Sequence, residues 1–490
     1  LWITRQQICY NKFMKKIILI IIAVIVAGGI GGYFILQKPA PSASNDYSLD
    51  ADGFLWGTEA YLTILESPNG QKEIDAINNT LKVKNIKFRI DWASEKNHSN
   101  IVCIGPNCLS KYDLDKFAQI FKINNWSMRP MFSLKFQDKP YTDNDIDDYV
   151  NYIDWFITRY KNDAHIKYIE LINTPLTLLA GNPTNPSSVN LITLKQLLDA
   201  QNKVYNQIKG KFPDVMVGSH GFEYMMDDKN ALPGSAIPAS DIAKEMVEYF
   251  LDKSNGAKFD YWAFHGYETY PSPIKTATYN KYSGISGIIE IRKKLDANGW
   301  QDRLIVDTEN VPSSGPTLPD DLDESDTYRI LQELIIKRTL KYNNKLVLSG
   351  ITPLKIITRG GTGEHLWGSL KSDGSLSRTI NGAALLLSKL NKYNYDSRIS
   401  GEFDKQDTAW IEKFQSGDNE ELYIFFKPLP NIAGTNPGLD GQTLNYNLNL
   451  NKKPVSITLT DVNEKVTNLT PVQSVKLEAG VSPKFLEVEY

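Results

Sequence analysis

Polar and titratable residues stand at or just beyond the ends of several strand-like runs in this chain. A carboxylate near an arginine, a histidine and a tyrosine is a suitable setting for glycosyl transfer, in which one carboxylate attacks the sugar and a second carboxyl group protonates the leaving oxygen. In a parallel barrel such residues meet at the C-terminal ends of the strands. The candidates are Arg89, Asn173, Thr174, His220, Glu223, His265, Tyr267 and Glu309.

Eight short β-rich runs alternate with longer amphipathic stretches from about Gly53 onward. In the longer stretches apolar residues recur at spacings of three and four, and Asp or Thr precedes them, as is typical of capped helices. Eight such units favour an α/β fold of the (β/α)8 barrel type. A doubly wound sheet is the alternative, but no G-x-G-x-x-G turn opens the first unit. The predicted strands are 54–61, 86–92, 127–134, 166–172, 215–222, 259–267, 303–309 and 345–351.

The pattern changes past about Tyr395. Alternating runs such as "ELYIFFKP" and "PVSITLTDV" follow one another, separated by Gly, Asn and Pro. This pattern predicts a small antiparallel β-sandwich. We therefore expect a barrel over residues 51–393 and a β-sandwich over residues 394–490.

The N-terminal segment predicts export. Within residues 14–37, Lys15 and Lys16 precede an uncharged apolar run, Ile17–Leu36. About 20 apolar residues can span a bilayer as a transmembrane helix, and flanking lysines stay on the cytoplasmic side. We expect a single-pass membrane protein with an extracytoplasmic body, or a secreted protein if the segment is a cleaved signal. Residues 1–13 are interpreted as a non-native leader and residues 38–50 as a linker.

Composition and charge limit the kinds of molecule that the chain is expected to bind. With 490 residues, 41% of them hydrophobic, the chain can bury a large core and is not disordered. Its formal net charge of -3 argues against nucleic acid as a partner. The acidic runs 143–148 and 320–326 precede predicted helices, where carboxylates stabilise the N-terminal dipole. We interpret both runs as caps, and we expect no metal and no cofactor.

Two cysteines enclose a short loop, "CIGPNC", with Cys103 and Cys108 at its ends. In an exported protein, one interpretation is a disulfide that clamps this loop. A metal site is the weaker alternative, because no histidine follows at ligand spacing.

Several motifs resemble the clan A glycoside hydrolases, most closely family 39, which has a barrel followed by a β-sandwich. "IELINTP" (169–175) is similar to the strand-four motif W-E-I-W-N-E-P, "VDTEN" (306–310) to the end of strand seven, "FHGY" (264–267) to strand six and "FRIDW" (88–92) to strand two. "LWGSLKSDG" (366–374) is similar to the exit from strand eight. The resemblance implies a retaining glycosidase acting on polysaccharide or oligosaccharide. It implies the following residues: Glu309 as nucleophile, Asn173 on the sugar 2-hydroxyl, Arg89 steadying the nucleophile, His265 and Tyr267 in the cleft, and Trp367 stacking on the sugar.

Two departures from the family pattern matter. Thr174 stands at the acid/base position, and a threonine hydroxyl cannot give up a proton near neutral pH. Ile169 and Ile172 replace tryptophans, which indicates a reshaped cleft floor. On the neighbouring strand five, Glu223 is a candidate substitute acid and His220 a candidate sugar ligand.

Two classes of function remain. One is an extracytoplasmic glycosidase with a relocated or missing acid. The other is a catalytically inactive barrel that binds glycans or holds a partner in envelope or exopolysaccharide assembly. The presence of Glu309, Arg89, Asn173 and His265 together favours the first class. Glu170 is interpreted as a hydrogen-bonded residue of the barrel interior.

Overall fold

The structure is a computed structural model of the chain. It describes residues 48–60, 69–92, 101–104, 107–134, 139–173, 175–180, 191–222, 239–266, 283–309, 324–352, 355–356, 370–371, 373–402, 407–428 and 442–490. The apolar run 17–36 lies outside them. Within these ranges no helix has the length and apolarity to cross a membrane. The membrane anchor therefore stays a prediction.

Eight parallel strand positions form the wall of a barrel. In chain order the strands of this part are β1 (Leu55–Trp56), β2 (Thr58–Ala60), β3 (Asn85–Trp92), β4 (Ile101–Ile104), β5 (Asn107–Ser110), β6 (Ser127–Leu134), β7 (Tyr168–Asn173), β8 (Met216–Gly221), β9 (Tyr261–Phe264), β10 (Leu304–Asp307), β11 (Lys341–Tyr342), β12 (Lys345–Leu346), β13 (Gly350–Ile351) and β14 (Lys355–Ile356). β1 and β2 are the two parts of the first position, and β13 and β14 are those of the eighth. β1 pairs with β13, and β2 pairs with both β3 and β14, so the first and eighth positions join. The predicted α/β barrel is confirmed.

Helices between the strands cover the outside of the barrel. They are α1 (Gly70–Asp75), α2 (Lys111–Asn124), α3 (Asp143–Tyr160), α4 (Pro175–Ala180), α5 (Leu194–Lys211), α6 (Ala239–Leu251), α7 (Ser283–Ala297), α8 (Glu324–Arg338) and α9 (Arg378–Leu390). Thr142 and Thr193 form capping boxes with Asp145 and Gln196 at the starts of α3 and α5. In these boxes, side-chain oxygens accept hydrogen bonds from backbone N–H groups that have no partner within the helix. This is the role expected of the predicted caps.

The eighth strand differs from its prediction. The run 345–351 was expected to be one barrel strand, but its first part, β12, pairs with β11 in a hairpin. Asn343 and Asn344 form the turn with φ angles of 51° and 62°. Asparagine adopts this left-handed conformation more readily than most residues. Local turn chemistry thus takes the first part of the run out of the barrel.

The predicted cysteine loop is a hairpin of β4 and β5, in which Cys103 pairs directly with Cys108. The disulfide itself stays a prediction.

The second region is an antiparallel β-sandwich, as predicted. Its strands are β15 (Asn394–Ser400), β16 (Trp410–Ser416), β17 (Glu420–Phe426), β18 (Leu444–Asn449), β19 (Ser456–Asp461), β20 (Val466–Leu469), β21 (Ser474–Ala479) and β22 (Lys484–Glu489). One sheet has the order β15-β16-β17-β22-β19-β20, and the other pairs β18 with β21. Apolar residues of both sheets, including Phe425, Leu448 and Leu477, form a shared core.

The sandwich packs on α8 and α9. Trp410 and Phe426 of its larger sheet belong to the same buried apolar cluster as the barrel core. Gln332 on α8 donates to the carbonyl oxygens of Lys427 and Val481 at 3.0 and 2.6 Å. The two regions therefore share one continuous interior.

A buried carboxylate, Glu412 on β16, fastens the end of α8 to the sandwich. Its Oε1 accepts hydrogen bonds at 2.8 Å from Thr339 Oγ1, Trp410 Nε1 and Arg398 Nε. Its Oε2 accepts one from the Tyr395 hydroxyl, also at 2.8 Å. Burial raises the pKa of Glu412, and the Arg398 charge opposes that rise. Because Thr339 follows α8 directly, these bonds fix the C-terminal end of that helix.

Candidate active site

Four ionisable side chains meet inside the barrel near the C-terminal ends of the strands. Lys87 lies on β3, Glu170 on β7, His265 directly after β9 and Glu309 shortly after β10. The His265 ring lies between the two carboxylates: Nε2 is 3.2 Å from Glu170 Oε1, and Nδ1 is 3.5 Å from Glu309 Oε2. Lys87 Nζ is also 3.5 Å from Glu309 Oε2. One oxygen of Glu309 therefore faces both an ammonium ion and an imidazole.

Solvent reaches these side chains unequally. Lys87 and Glu170 are 0% exposed, whereas Glu309 is 8% exposed. Burial alone would raise the pKa of Glu170, but the charge of Lys87, the hydrogen bond from His265 and the charge of Arg129 hold it below its usual value. Glu170 is thus an ionised, enclosed residue, in line with the interior position expected for it. Glu309 keeps a small open surface at the end of the barrel.

A register shift accompanies the polar end of β7. Leu171 pairs with His220 and Asn173 with Gly221, so β7 has one residue more than β8 between these pairs. Leu171 and Ile172 are consecutive and both belong to the apolar core. The alternation of side chains between the two faces of β7 is therefore interrupted, which changes the direction of the Asn173 side chain. Asn173 Oδ1 is buried without a hydrogen-bond partner among the described residues. It is an open acceptor for a ligand hydroxyl.

Gly221, the last residue of β8, lies against the pair of His265 and Glu170. A Cβ atom here would be 2.4 Å from His265 Nε2 and 2.7 Å from Glu170 Oε1. Any side chain would therefore push the imidazole and the carboxylate apart. Glycine at this position lets the two groups meet.

A second buried ion pair holds the chain segments that carry His265 and Glu309. Lys337 Nζ on α8 is 3.0 Å from Asp307 Oδ2, and both side chains are fully buried. Asp307 Oδ1 accepts from the backbone N–H of Gly266 at 3.0 Å, and Lys337 also donates to the Gly266 carbonyl. Gly266 follows His265 and Asp307 precedes Glu309 by two residues. The pair therefore fixes both segments from the helix side.

The strand positions bring two predicted site residues, Glu309 and His265, into contact. Asn173 ends β7, which is separated from β9 by β8. Arg89 lies on β3 two residues after Lys87, and it is half-buried. Since side chains alternate along a strand, Arg89 and Lys87 share one face, with Arg89 nearer the C-terminal end.

His220 lies in the layer between sheet and helices. Its Nε2 is 3.0 Å from the carbonyl oxygen of Leu197 on α5, and its ring packs edge-on against Phe222 and Phe250. Burial lowers the pKa of His220 to about 4, so the ring is neutral near pH 7. This enclosed position gives no support to the predicted sugar contact of His220.

The remaining predicted site residues lie outside the described residues, and their roles stay predictions. They are Thr174, Glu223, Tyr267 and Trp367.

The sequence alone did not point to Lys87, Thr308 or Lys337. Thr308 Oγ1 donates to Glu170 Oε1 at 3.1 Å. A signal for Lys87 exists in "IKFRIDW", where Lys87 and Arg89 alternate with apolar residues and so face the same side. Lys337 gave no signal, because a lysine in the last turn of a helix is ordinary.

The arrangement suits Glu309 for nucleophilic attack. A neighbouring cation favours the carboxylate form, and two contacts on one oxygen restrict its orientation. Glu170 is enclosed and held by His265 and Thr308, so it supports the imidazole rather than a ligand. Among the described residues no group of three or more His, Cys, Asp or Glu side chains could hold a metal ion.

Comparison with known proteins gives a match in fold. No family model and no curated protein matches the sequence. A family 39 glycoside hydrolase from Bacteroides cellulosilyticus has a TM-score of 0.60 and 15% identity, over 91% of this chain and 82% of that one. The family 39 enzyme from Xanthomonas axonopodis has a TM-score of 0.55 and 11% identity, over 89% and 93%. A monomeric β-xylosidase from Caulobacter crescentus has a TM-score of 0.54 and 10% identity, over 89% and 95%. The chain therefore has the fold of family 39 glycoside hydrolases.

Glu170→Gln tests the buried charge. It should lower the free energy of unfolding by about 3 kcal/mol near pH 7, because it removes the partner of buried cations. A carboxylate whose pKa is lowered on folding stabilises the protein above its unfolded pKa, and this effect is lost as pH falls through the folded pKa. The difference between wild type and variant should therefore shrink below about pH 4. Urea unfolding at a series of pH values measures it.

Glu290→Gln is the control for that series. It removes an exposed carboxylate 3.5 Å from Lys293, and it should change stability by less than about 1 kcal/mol at every pH. A destabilisation by Glu170→Gln that is constant or grows toward low pH would contradict the assigned charge.

Proposed function

We propose that this protein is a glycoside hydrolase that acts on polysaccharide or oligosaccharide by a retaining mechanism, with Glu309 as nucleophile. The observation that carries the proposal is the Glu309 carboxylate at the end of the barrel, with Lys87 Nζ and His265 Nδ1 each 3.5 Å from Oε2. The fold shared with family 39 glycoside hydrolases supports it.

In this reaction the Glu309 carboxylate attacks the anomeric carbon while the bond to the leaving oxygen breaks. The leaving oxygen takes a proton from an acid, and a glycosyl ester of Glu309 remains. Water then gives a proton to a base and attacks the same carbon, which releases the carboxylate. Two inversions at one carbon give retention. The open Oδ1 of Asn173 would accept a hydrogen bond from a sugar hydroxyl.

Thr174 occupies the sequence position of the acid that would act together with Glu309. We propose Glu223 as the substitute acid, since it follows the neighbouring strand. A retaining site requires its two carboxyl groups about 5–5.5 Å apart. Arg89, Tyr267 and Trp367 are proposed as sugar ligands.

A catalytically inactive protein that binds glycans, or serves as a scaffold in envelope or exopolysaccharide assembly, is the second candidate. Thr174 favours it, because losing general acid catalysis costs a factor of about 100–10,000 in rate. In that case Glu309 and Asn173 would only hold the sugar.

Glu309→Gln should abolish hydrolysis of any substrate found and leave glycan binding within a few-fold. The amide keeps the shape of the side chain but cannot attack. Turnover of a panel of aryl glycosides and oligosaccharides measures the first effect, and calorimetric titration measures the second. For the wild type, product analysis by proton NMR should show a retained anomeric configuration. Glu290→Gln, an exposed carboxylate change on α7, should keep wild-type turnover, and wild-type turnover in Glu309→Gln would place the nucleophile elsewhere.

Thr174→Glu and azide distinguish the two candidates. If only the acid is missing, activated aryl glycosides still glycosylate Glu309, and azide, which needs no base, should accelerate turnover and yield a glycosyl azide of retained configuration. Thr174→Glu should then raise activity on unactivated glycosides by about 100-fold or more. If neither treatment has an effect on any glycoside, the site is a binding cleft. If the wild type cleaves unactivated glycosides and Glu223→Gln removes that ability, the acid is Glu223.

We propose a location outside the cytoplasm, anchored by the apolar run 17–36. Protease added to intact cells should then release a soluble body by cutting within residues 38–50, because a Pro- and Ser-rich tether is accessible. Immunoblotting of the released fraction measures it. A body that stays protected until the cells are lysed would exclude this location.

A further inference from the structure

Lys87 is a buried cation to which the proposed reaction gives no role so far. It lies on β3, and its side chain is 0% exposed. Moving an ammonium ion from water into a protein interior is unfavourable unless it is paired. Its Nζ is 3.5 Å from Glu309 Oε2, and its charge also acts on Glu170. The fold therefore accommodates a costly buried charge beside the proposed nucleophile.

We propose that Lys87 is a positioning residue of this site, whose ammonium ion keeps the Glu309 carboxylate ionised and orients its Oε2. The family resemblance assigned the steadying of the nucleophile to Arg89. The attack itself rests on the proposed function, whereas the effect of Lys87 on the charge of Glu309 does not.

Burial separates the roles of Lys87 and Arg89. Lys87 has no surface open to solvent, so it cannot contact a sugar and acts only through Glu309. Arg89 lies two residues closer to the C-terminal end of β3 and is half-buried, so part of its side chain reaches the surface. An opposite charge within about 4–6 Å favours the ionised form of a carboxyl group. Lys87 meets that condition at Glu309.

Charged groups on several strands share the interior with Glu309. The His265 ring contacts Glu309 Oε2 through Nδ1 and Glu170 Oε1 through Nε2. The charge of Glu170 therefore affects Glu309 through this ring. On the strands from β2 to β7 the buried charged groups are Glu59 on β2, Lys87 on β3, Arg129 on β6 and Glu170 on β7, and Arg89 on β3 is half-buried. With Glu309, these described residues comprise three carboxylates and three permanent cations. Without Lys87 the carboxylates are in excess, and like charges favour protonation of one of them.

Glu309 is the carboxylate expected to take up that proton. It loses a direct ion pair with Lys87 at 3.5 Å and keeps its other contacts, among them the one with His265 Nδ1. Glu170 also loses the charge of Lys87, but it keeps His265, Thr308 and the charge of Arg129. Removal of Lys87 should therefore favour protonation of Glu309 more than protonation of Glu170.

Infrared spectroscopy tests this without any substrate. The carbonyl band of protonated Glu309 is followed against pH in wild type, Lys87→Met and Lys87→Arg, after subtraction of the same protein carrying Glu309→Gln. The midpoint of protonation should rise by about 1 pH unit or more in Lys87→Met and stay near the wild-type value in Lys87→Arg. On an activated aryl glycoside, the acid limb of the kcat/KM profile should shift by the same amount.

Arg338→Met is the matched control, because Arg338 is equally buried but pairs with Asp50 at 2.6 Å and not with a group of the site. It should lower stability without moving the Glu309 midpoint. Should Lys87→Met fail to fold, Lys87→Gln carries the same measurement. An unmoved midpoint in the Lys87 variant, or an equal shift in Arg338→Met, overturns the proposal. A moved midpoint with no glycoside turned over by any variant supports the role of Lys87 and counts against the glycosidase.

Discussion

Charged groups inside an apolar barrel are stable only when each has a partner, and this requirement organises the candidate site. The His265 ring lies between two carboxylates, and Lys87 faces the outer one, so the charges neutralise each other in pairs. Removing one member leaves the others unpaired, which costs more than the pair itself contributes. Gly221 satisfies the same requirement sterically, because a side chain there would separate the imidazole from Glu170.

The C-terminal end of α8 connects the barrel interior to the rest of the fold through three consecutive residues. Lys337 binds Asp307 beneath the site, Arg338 binds Asp50 at 2.6 Å, and Thr339 binds Glu412 of the sandwich at 2.8 Å. Helix α8 is thus held by the barrel strands, by the start of the first strand and by the second region. The sandwich therefore supports the site through its contacts with α8, and none of its described side chains is part of the site.

The interior cluster and the substituted acid position have opposite implications. A site that only bound sugar would have no need of a buried cation against Glu309, since hydrogen bonds at the barrel mouth suffice for binding. A retaining glycosidase needs an ionised nucleophile, and the Lys87 ammonium ion beside Glu309 would favour one. In the proposed reaction, Thr174 would affect the other half, the transfer of a proton to the leaving oxygen. The proposed nucleophile and the proposed acid are thus separate questions, and the nucleophile is the better supported of the two.

Local pattern in the sequence determined the first seven barrel strands, the presence of capped helix starts, the sandwich, and the places of Glu309 and His265 at strand ends. Periodicity and capping act within a few residues, so they are legible without a structure. Barrel closure decided the rest: Lys87 meets Glu309 across 222 residues of chain, and Lys337 on α8 meets Asp307 across 30 residues. The outward position of His220 also depended on neighbouring elements, whereas the local turn at Asn343 and Asn344 shortened the eighth strand. Partners of a buried charge are chosen by which strands lie side by side, and that is a property of the closed barrel rather than of any local run.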